Sequence, residues 1–274
     1  MAAVAFVTGA SRGIGKACAI SLARAGFDVA CTARTMHEGE EREHSSTVRK
    51  RDTRPLPGSL ESTAAEIEAA GQRALTVPAD LLDRSQLEAA VATVLAQWGS
   101  IDLLLNNGRY IGPGHMDRLV DTPLDLLDRH LAANVMAPLA LTKLVLPQMI
   151  ERGHGLVCNV TSDVAWTDPP AAAGEGGWGL GYAISKGALH RVAGVLAHEI
   201  AGTGVSVVNV SPGFVATERI AIDMAEFGFD ASTGAPPELI GRVVAWLATS
   251  GAAAVWNGRT LEAQPMAREL GFAT

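Results

Sequence analysis

Two side chains four positions apart, Tyr182 and Lys186 in the run Tyr182-Ala183-Ile184-Ser185-Lys186, carry the most specific chemistry in this chain. On a helix that spacing sets a phenol and an ammonium on one face, a single turn apart. A free phenol titrates near ~10, too high to trade protons readily at neutral pH. A fixed positive charge beside it favours the phenolate and lowers that value. The pair therefore suits proton exchange with a carbonyl or alcohol oxygen. The same spacing also describes two surface residues of an amphipathic helix, so the surrounding elements decide.

A second chemistry-bearing stretch lies near the N-terminus. Thr8-Gly9-Ala10-Ser11-Arg12-Gly13-Ile14-Gly15 follows an apolar run and opens a helical pattern. Glycines there permit a tight turn and let a phosphate approach backbone N–H groups at a helix N-terminus. The spacing departs from the G-x-G-x-x-G fingerprint, and a packing turn is the alternative. The second strand ends at Cys31-Thr32-Ala33-Arg34. Ala33 offers no carboxylate for a ribose 2′-hydroxyl, whereas Arg34 and Arg12 offer cations for a 2′-phosphate. That predicts NADP(H) in preference to NAD(H); the alternative is two solvated arginines.

The elements that must position these groups alternate between strand and helix. Strand-like runs are expected at Val4 to Thr8, Val29 to Thr32, Ala74 to Val77, Ile101 to Leu105, Leu156 to Val160, Val205 to Val210 and Arg259 to Glu262. Between them Ile14, Cys18 and Leu22 share one helical face, as do Leu60, Ala64 and Ile67. Asp83 and Gln86 have capping-box spacing ahead of Leu87, Val91, Val94 and Trp98, and Gly99 ends that helix. Thr122-Pro123-Leu124-Asp125 predicts an N-cap with proline at the first helical position, opening a long helix that carries Leu127, Leu131 and Val135 inward. Leu189, Val192, Leu196 and Ile200 line the helix begun near Tyr182, and another spans Pro237 to Thr249. The expected fold is α/β, a Rossmann-like doubly wound parallel sheet of seven strands in a single domain over 1–274. A polar stretch at about 36–59 interrupts the rhythm and reads as an insertion or mobile loop.

Composition narrows the function classes. The chain has 274 residues, 48% of them hydrophobic, and a net charge of −7. That balance gives no basic footprint for nucleic acid or an anionic membrane. The start of the chain reads as a strand rather than a signal peptide, and no apolar run looks long enough to span a bilayer. Cys18, Cys31 and Cys158 have no metal-ligand spacing and read as buried thiols in a reducing, cytoplasmic setting. His37 and His44 fall among carboxylates without matching a metal site, so none is expected.

With the glycine turn and the Tyr182/Lys186 pair together, the chain resembles the short-chain dehydrogenase/reductase family over nearly its whole length. Asp80-Leu81 after the third strand is similar to the pair that contacts adenine, and Asn106-Asn107-Gly108 ends the fourth strand where the family has Asn-Asn-Ala-Gly. Asn134 lies at the family's helical asparagine and Thr161-Ser162 at its catalytic serine. Pro212-Gly213, Val215 and Thr217 follow the sixth strand at the nicotinamide side. The resemblance implies that Tyr182 exchanges the proton, Ser162 hydrogen-bonds the substrate oxygen, and Lys186 assists Tyr182 and holds the nicotinamide ribose. Asn134 would anchor a proton-relaying water. Pro138 supports that role, because in a continuous helix it leaves the Asn134 carbonyl without its usual N–H partner. The cofactor contacts so implied are Gly9, Ser11, Arg12, Gly13, Ile14, Gly15, Arg34, Asp80, Leu81, Asn106, Gly108, Tyr182, Lys186, Pro212, Gly213, Val215 and Thr217. A homotetramer or homodimer packed through the long helices is also implied.

Three departures qualify the resemblance. Arg109 stands where the family has glycine, and it either reaches the cleft or pairs with an acid outside. The segment from Ser162 to Tyr182 is long; its Trp166 and Trp178, with Phe214, suggest a pocket for an apolar or cyclic carbonyl or alcohol. The 36–59 insertion would fold over the adenosine end of the cofactor, mediate a subunit contact or stay loose. Rival readings are a non-catalytic cofactor sensor, a lyase or epimerase holding its nicotinamide tightly, and a C=N or C=C reductase.

Overall fold

In the computed structural model, which describes residues 2–272, all five residues of β1 (Val4–Thr8) are buried. Alternation divides them between two cores: Val4 and Phe6 join the apolar cluster on one face of the sheet, Ala5 and Val7 the cluster on the other. A strand covered on both faces has no polar side to show, which is why its sequence is apolar from Val4 to Val7. The remaining strands are β2 (Asp28–Thr32), β3 (Ala74–Thr76), β4 (Leu103–Asn106), β5 (Gly155–Val160), β6 (Val205–Ser211) and β7 (Thr260–Glu262). They pair in parallel in the order β3-β2-β1-β4-β5-β6-β7. The seven-stranded doubly wound sheet read from the sequence is the sheet that forms. Its order reverses between β1 and β4, and the carboxyl ends of strands at such a switch point open a crevice.

Ten helices flank the sheet among the described residues: α1 (Gly13–Arg24), α2 (Leu60–Ala69), α3 (Arg84–Trp98), α4 (Leu124–Leu131), α5 (Ala137–Arg152), α6 (Leu180–Glu199), α7 (Glu218–Asp223), α8 (Pro237–Thr249), α9 (Ala252–Val255) and α10 (Ala263–Glu269). Cys18 and Leu22 of α1 pack with Ile240 and Val244 of α8 on one face. Val91 and Val94 of α3 pack with Leu141 and Met149 of α5 on the other.

Several local expectations shift. Asp83 caps α3 by accepting from the N–H groups of Ser85 and Gln86, but the Gln86 side-chain oxygen accepts from Asp80 N (2.9 Å), so the reciprocal half of the box is missing. A complete box forms instead at Ser59 and Ser62, opening α2. Thr122 does not cap α4: its hydroxyl donates to Arg118 O (2.9 Å), and Pro123 takes the cap position. The buried stripe of the long helix runs through Leu126, His130, Ala133 and Asn134, leaving Leu127, Leu131 and Val135 half-buried. The stripe rotates because His130 and Asn134 are the side chains that reach Tyr110, which lines the crevice.

Nor is that helix continuous. Between α4 and α5 it widens into one π turn, Ala132–Met136, where Ala137 N–H donates to Ala132 O. Pro138 lacks the N–H that an unbroken α pattern needs at this point. The stretch Leu124–Arg152 is the one helical run among the described residues long and apolar enough to cross a membrane, with mean hydropathy 1.2. Half of the apolar window lies inside the fold, as in a core helix. The sequence expectation that no run has that length is corrected accordingly.

Candidate active site

The crevice begins at the glycine turn between β1 and α1. Gly9 has φ 67°, a left-handed value. Asn107 Nδ2 donates to Thr8 O (2.9 Å), and the backbone N–H groups of Asn107 and Gly108 both donate to Thr8 Oγ1 (2.9 Å each). These bonds clamp the end of β4 onto the turn. At Gly15 an added Cβ would lie 2.1 Å from Gly9 O, so the first turn of α1 sits directly on the loop. The α1 N-cap, Arg12, makes no side-chain capping bond. The first N–H groups of a twelve-residue helix are thus available to an anion beside a loop of small residues. That arrangement fits a dinucleotide phosphate.

The 36–59 insertion folds over this end. Arg12 Nε donates to Pro57 O (2.8 Å), and Nη2 donates to Leu56 O (3.2 Å) and Gly58 O (2.7 Å). Arg34 Nη2 donates to Glu43 O (3.3 Å). Both arginines line the crevice, yet both also hold the insertion. Across the mouth, Asp117 accepts from Thr47 Oγ1 (2.5 Å) and Val48 N (2.9 Å), and Lys50 pairs with Glu226 (3.0 Å). The segment is therefore a strap from β2 to the loops beyond β4 and β6, and it adds Arg42, His44, Arg54 and Leu56 to the lining. Of the three alternatives the sequence leaves for 36–59, this is folding over the adenosine end; its charge-rich residues alone do not single it out, because polar residues that tie a strap down look like those of a loose loop.

At the other end, α6 presents Tyr182 and Lys186 to the same crevice. Lys186 is buried, with Nζ donating to Val160 O (2.7 Å). Burial and then Arg109 lower its pKa to about 7. Arg109 lies over the Tyr182 ring, its guanidinium carbon 5.5 Å from the centroid, and donates to Tyr110 O (3.0 Å). The His115 ring meets Tyr182 edge-on at 4.6 Å; burial, then Arg109, Arg219, His130 and Lys186, hold it neutral. Asn134 is buried, with Oδ1 accepting from Tyr110 N (2.6 Å) and Nδ2 donating to Ser185 Oγ (2.9 Å). Ser162 Oγ donates to Asp163 Oδ1 (3.0 Å) at the end of β5.

The crevice lining thus brings together Gly9, Ser11, Arg12, Gly13, Ile14, Gly15, Arg34, Asp80, Leu81, Gly108, Tyr182, Lys186, Pro212 and Thr217. Asn106 stands behind it, donating to Asn159 Oδ1 (2.9 Å) in a buried inter-strand ladder, while its neighbour Asn107 faces the crevice. Alternation along β4 explains the swap and could have assigned it. Gly213 and Val215 flank Phe214 on the β6 loop, where Gln264 Nε2 donates to Pro212 O (3.0 Å) and Phe214 O (2.9 Å). Trp166, 48% exposed, packs on His190 of α6 at 4.8 Å, and Phe214 packs on Phe229 at 6.2 Å. Neither they nor Trp178 lines the crevice among the described residues, and Ser162, Asn134, Gly213 and Val215 stand outside its lining as well. Thr32, Glu218 and Arg219 line it without having been singled out.

The Lys186 shift has a measurable consequence. From its ordinary 10.5 to about 7, the folded chain has released a proton that the unfolded chain still holds. Stability from this group therefore rises with pH across that window, and the cost of its burial is complete below about 7. In Lys186→Met this contribution should vanish. Urea unfolding at several pH values checks it: the wild type should gain more stability than the variant between neutral and alkaline pH.

Comparison with known proteins follows the same lines. The family model for short chain dehydrogenases matches residues 3–51 and 53–223. A short chain dehydrogenase of Pseudocercospora fijiensis is 36% identical over 224 residues, 81% of this chain and 62% of its own length. Cyclohexanol dehydrogenase of Rhodococcus sp. is 30% identical over 82% of this chain and 78% of its own. Among solved structures, acetoin dehydrogenase of Enterobacter cloacae superposes with TM-score 0.73 at 26% identity, covering 96% of this chain and 94% of that one.

Proposed function

The chain belongs to the short-chain dehydrogenase family, and from that premise we propose that it interconverts a ketone or aldehyde and an alcohol with NADP(H). The observation that carries the reading is the convergence of the glycine turn with Tyr182 and Lys186 on one crevice. The bound nicotinamide supplies or accepts the hydride. Tyr182 gives its proton to the substrate oxygen in reduction and takes it back in oxidation. Lys186, one helical turn along α6, places positive charge beside Tyr182 in its protonated form, which stabilises the negative charge that develops as the proton leaves. Ser162 is assigned to the substrate oxygen. Asn134, fixed between Tyr110 and Ser185 at the π turn, is assigned to the proton path towards Lys186.

Preference for NADP(H) is supported by Arg34 in the crevice and by the missing carboxylate at Ala33. In Arg34→Ala the ratio of kcat/KM for NADPH over NADH should fall by about 10-fold or more, as expected when one charge-assisted bond to a phosphate is lost. An unchanged ratio removes Arg34 from the account. An apolar or cyclic substrate body is supported by the cyclohexanol relative. Trp166, Trp178 and Phe214 lend it no direct support, since they stand outside the lining. Leu139, Leu144 and Ile150 of α5, with Ile184 and Val195 of α6, leave apolar surface exposed. They are assigned to a homo-oligomer interface. Three free buried thiols suit a reducing cytoplasm.

A further inference from the structure

Arg109 is unusual among the charged groups of the crevice. It stands beside the reacting end, half-buried, over the ring of Tyr182. Among the described residues it makes no ion pair, and its one hydrogen bond goes to the carbonyl of the next residue, Tyr110 (3.0 Å). The carboxylates that share the crevice are engaged elsewhere or lie near other groups. Glu40 pairs with Arg42 (2.6 Å), Asp80 accepts from Leu82 N (2.9 Å), and Glu218 lies by Gly13 at the glycine turn. Around Arg109 the other groups are basic: Lys186 and Arg219 line the same space, and His115 is held neutral first by its burial and then by the neighbouring cations. A desolvated guanidinium with cationic neighbours is costly unless an anion arrives to pair with it.

Building on the oxidoreductase reading, we propose that Arg109 is a specificity-determining residue that binds a carboxylate on the substrate, making the preferred substrates oxo acids and their hydroxy acids. A guanidinium has five N–H groups in a planar fork, and Arg109 spends one on Tyr110 O. The remainder matches the two oxygens of a planar carboxylate. Its place over the Tyr182 ring puts that carboxylate within a few bonds of the carbonyl that receives the Tyr182 proton. The reaction balances as for a neutral ketone: hydride adds to the carbonyl carbon, the phenol proton adds to its oxygen, and the carboxylate is unchanged. An apolar body remains compatible, because the anion fixes one end only.

The test uses matched probes: benzoylformate, benzoylacetate and 3-benzoylpropionate, each beside its methyl ester, with wild type, Arg109→Met and Arg109→Lys. Binding to the NADP-saturated protein is followed by titration calorimetry and reduction by steady-state kinetics; binding of NADP itself is measured separately. At least one acid should bind wild type about 10-fold more tightly than its ester, as a charge-assisted pair provides. That preference should disappear in Arg109→Met and return in part in Arg109→Lys, with NADP affinity unchanged. Absence of acid preference in wild type overturns the assignment, as does a preference that survives Arg109→Met. An equal loss on acid and ester, or a weakening of NADP binding itself, also overturns it, since Arg109 would then serve Tyr182 or the cofactor. Failure of the wild type to bind either coenzyme defeats the oxidoreductase reading instead, and is seen before any probe is added.

Discussion

Tyr182→Phe should leave a folded protein that binds coenzyme normally and turns over almost nothing. Loss of a positioned proton donor typically costs 10²–10⁴ in rate, and here kcat is expected to fall by about 10³. The ring itself stays, and with it the edge contact to His115 at 4.6 Å and the stack beneath Arg109 at 5.5 Å. Those contacts make the substitution a clean removal of one hydroxyl. Coenzyme affinity by fluorescence titration and thermal unfolding serve as controls. A variant that keeps more than about a tenth of wild-type kcat would remove Tyr182 as proton donor. A protein that acted only as a cofactor sensor would keep its output in this variant.

Gly15→Ala should fail at the earlier step. The added methyl would lie 2.1 Å from Gly9 O and 2.5 Å from Asn107 Nδ2, and the first of these is backbone that cannot swing aside. Either the glycine turn opens or α1 moves off β1. Both displace the N–H groups that face the crevice, and both break the Asn107 clamp on Thr8 and Gly9. Coenzyme affinity is expected to fall by at least about 100-fold, because close helix–strand packing is what the last glycine of such a turn secures. Thermal unfolding should show a lower Tm for the same reason. Normal coenzyme binding by this variant would place the phosphate site elsewhere.

What could be read beforehand follows from how each signal is encoded. β1 and β5 are apolar along most of their length because both faces are covered, and their positions are legible nearly to the residue. The Tyr182/Lys186 pair was legible because helical spacing alone puts both on one face. Asn134 is legible through the family resemblance, whereas His130 is harder: a polar side chain on a buried helical face is visible only through its partner, here Tyr110 across a loop. Thr122 has the right chemistry for a cap, but its hydroxyl found the closer carbonyl of Arg118. The strap stays one of three alternatives in the sequence because its structure consists of long-range ties, such as Arg12 to Pro57 and Thr47 to Asp117. Hydropathy periodicity carries no record of such ties. Arg109 stands out in the sequence as a departure, yet its place over Tyr182 depends on the fold.

The account rests on a coenzyme and a phenol acting on the same carbonyl, and stoichiometry tests that most directly. Purified protein mixed with NADPH and a diverse panel of carbonyl compounds, oxo acids included, should oxidise one NADPH for each alcohol formed. Tyr182→Phe should bind NADPH and form none. If neither NADPH nor NADH is consumed with any member of the panel, or if alcohol appears without matching coenzyme oxidation, the proposed chemistry is contradicted.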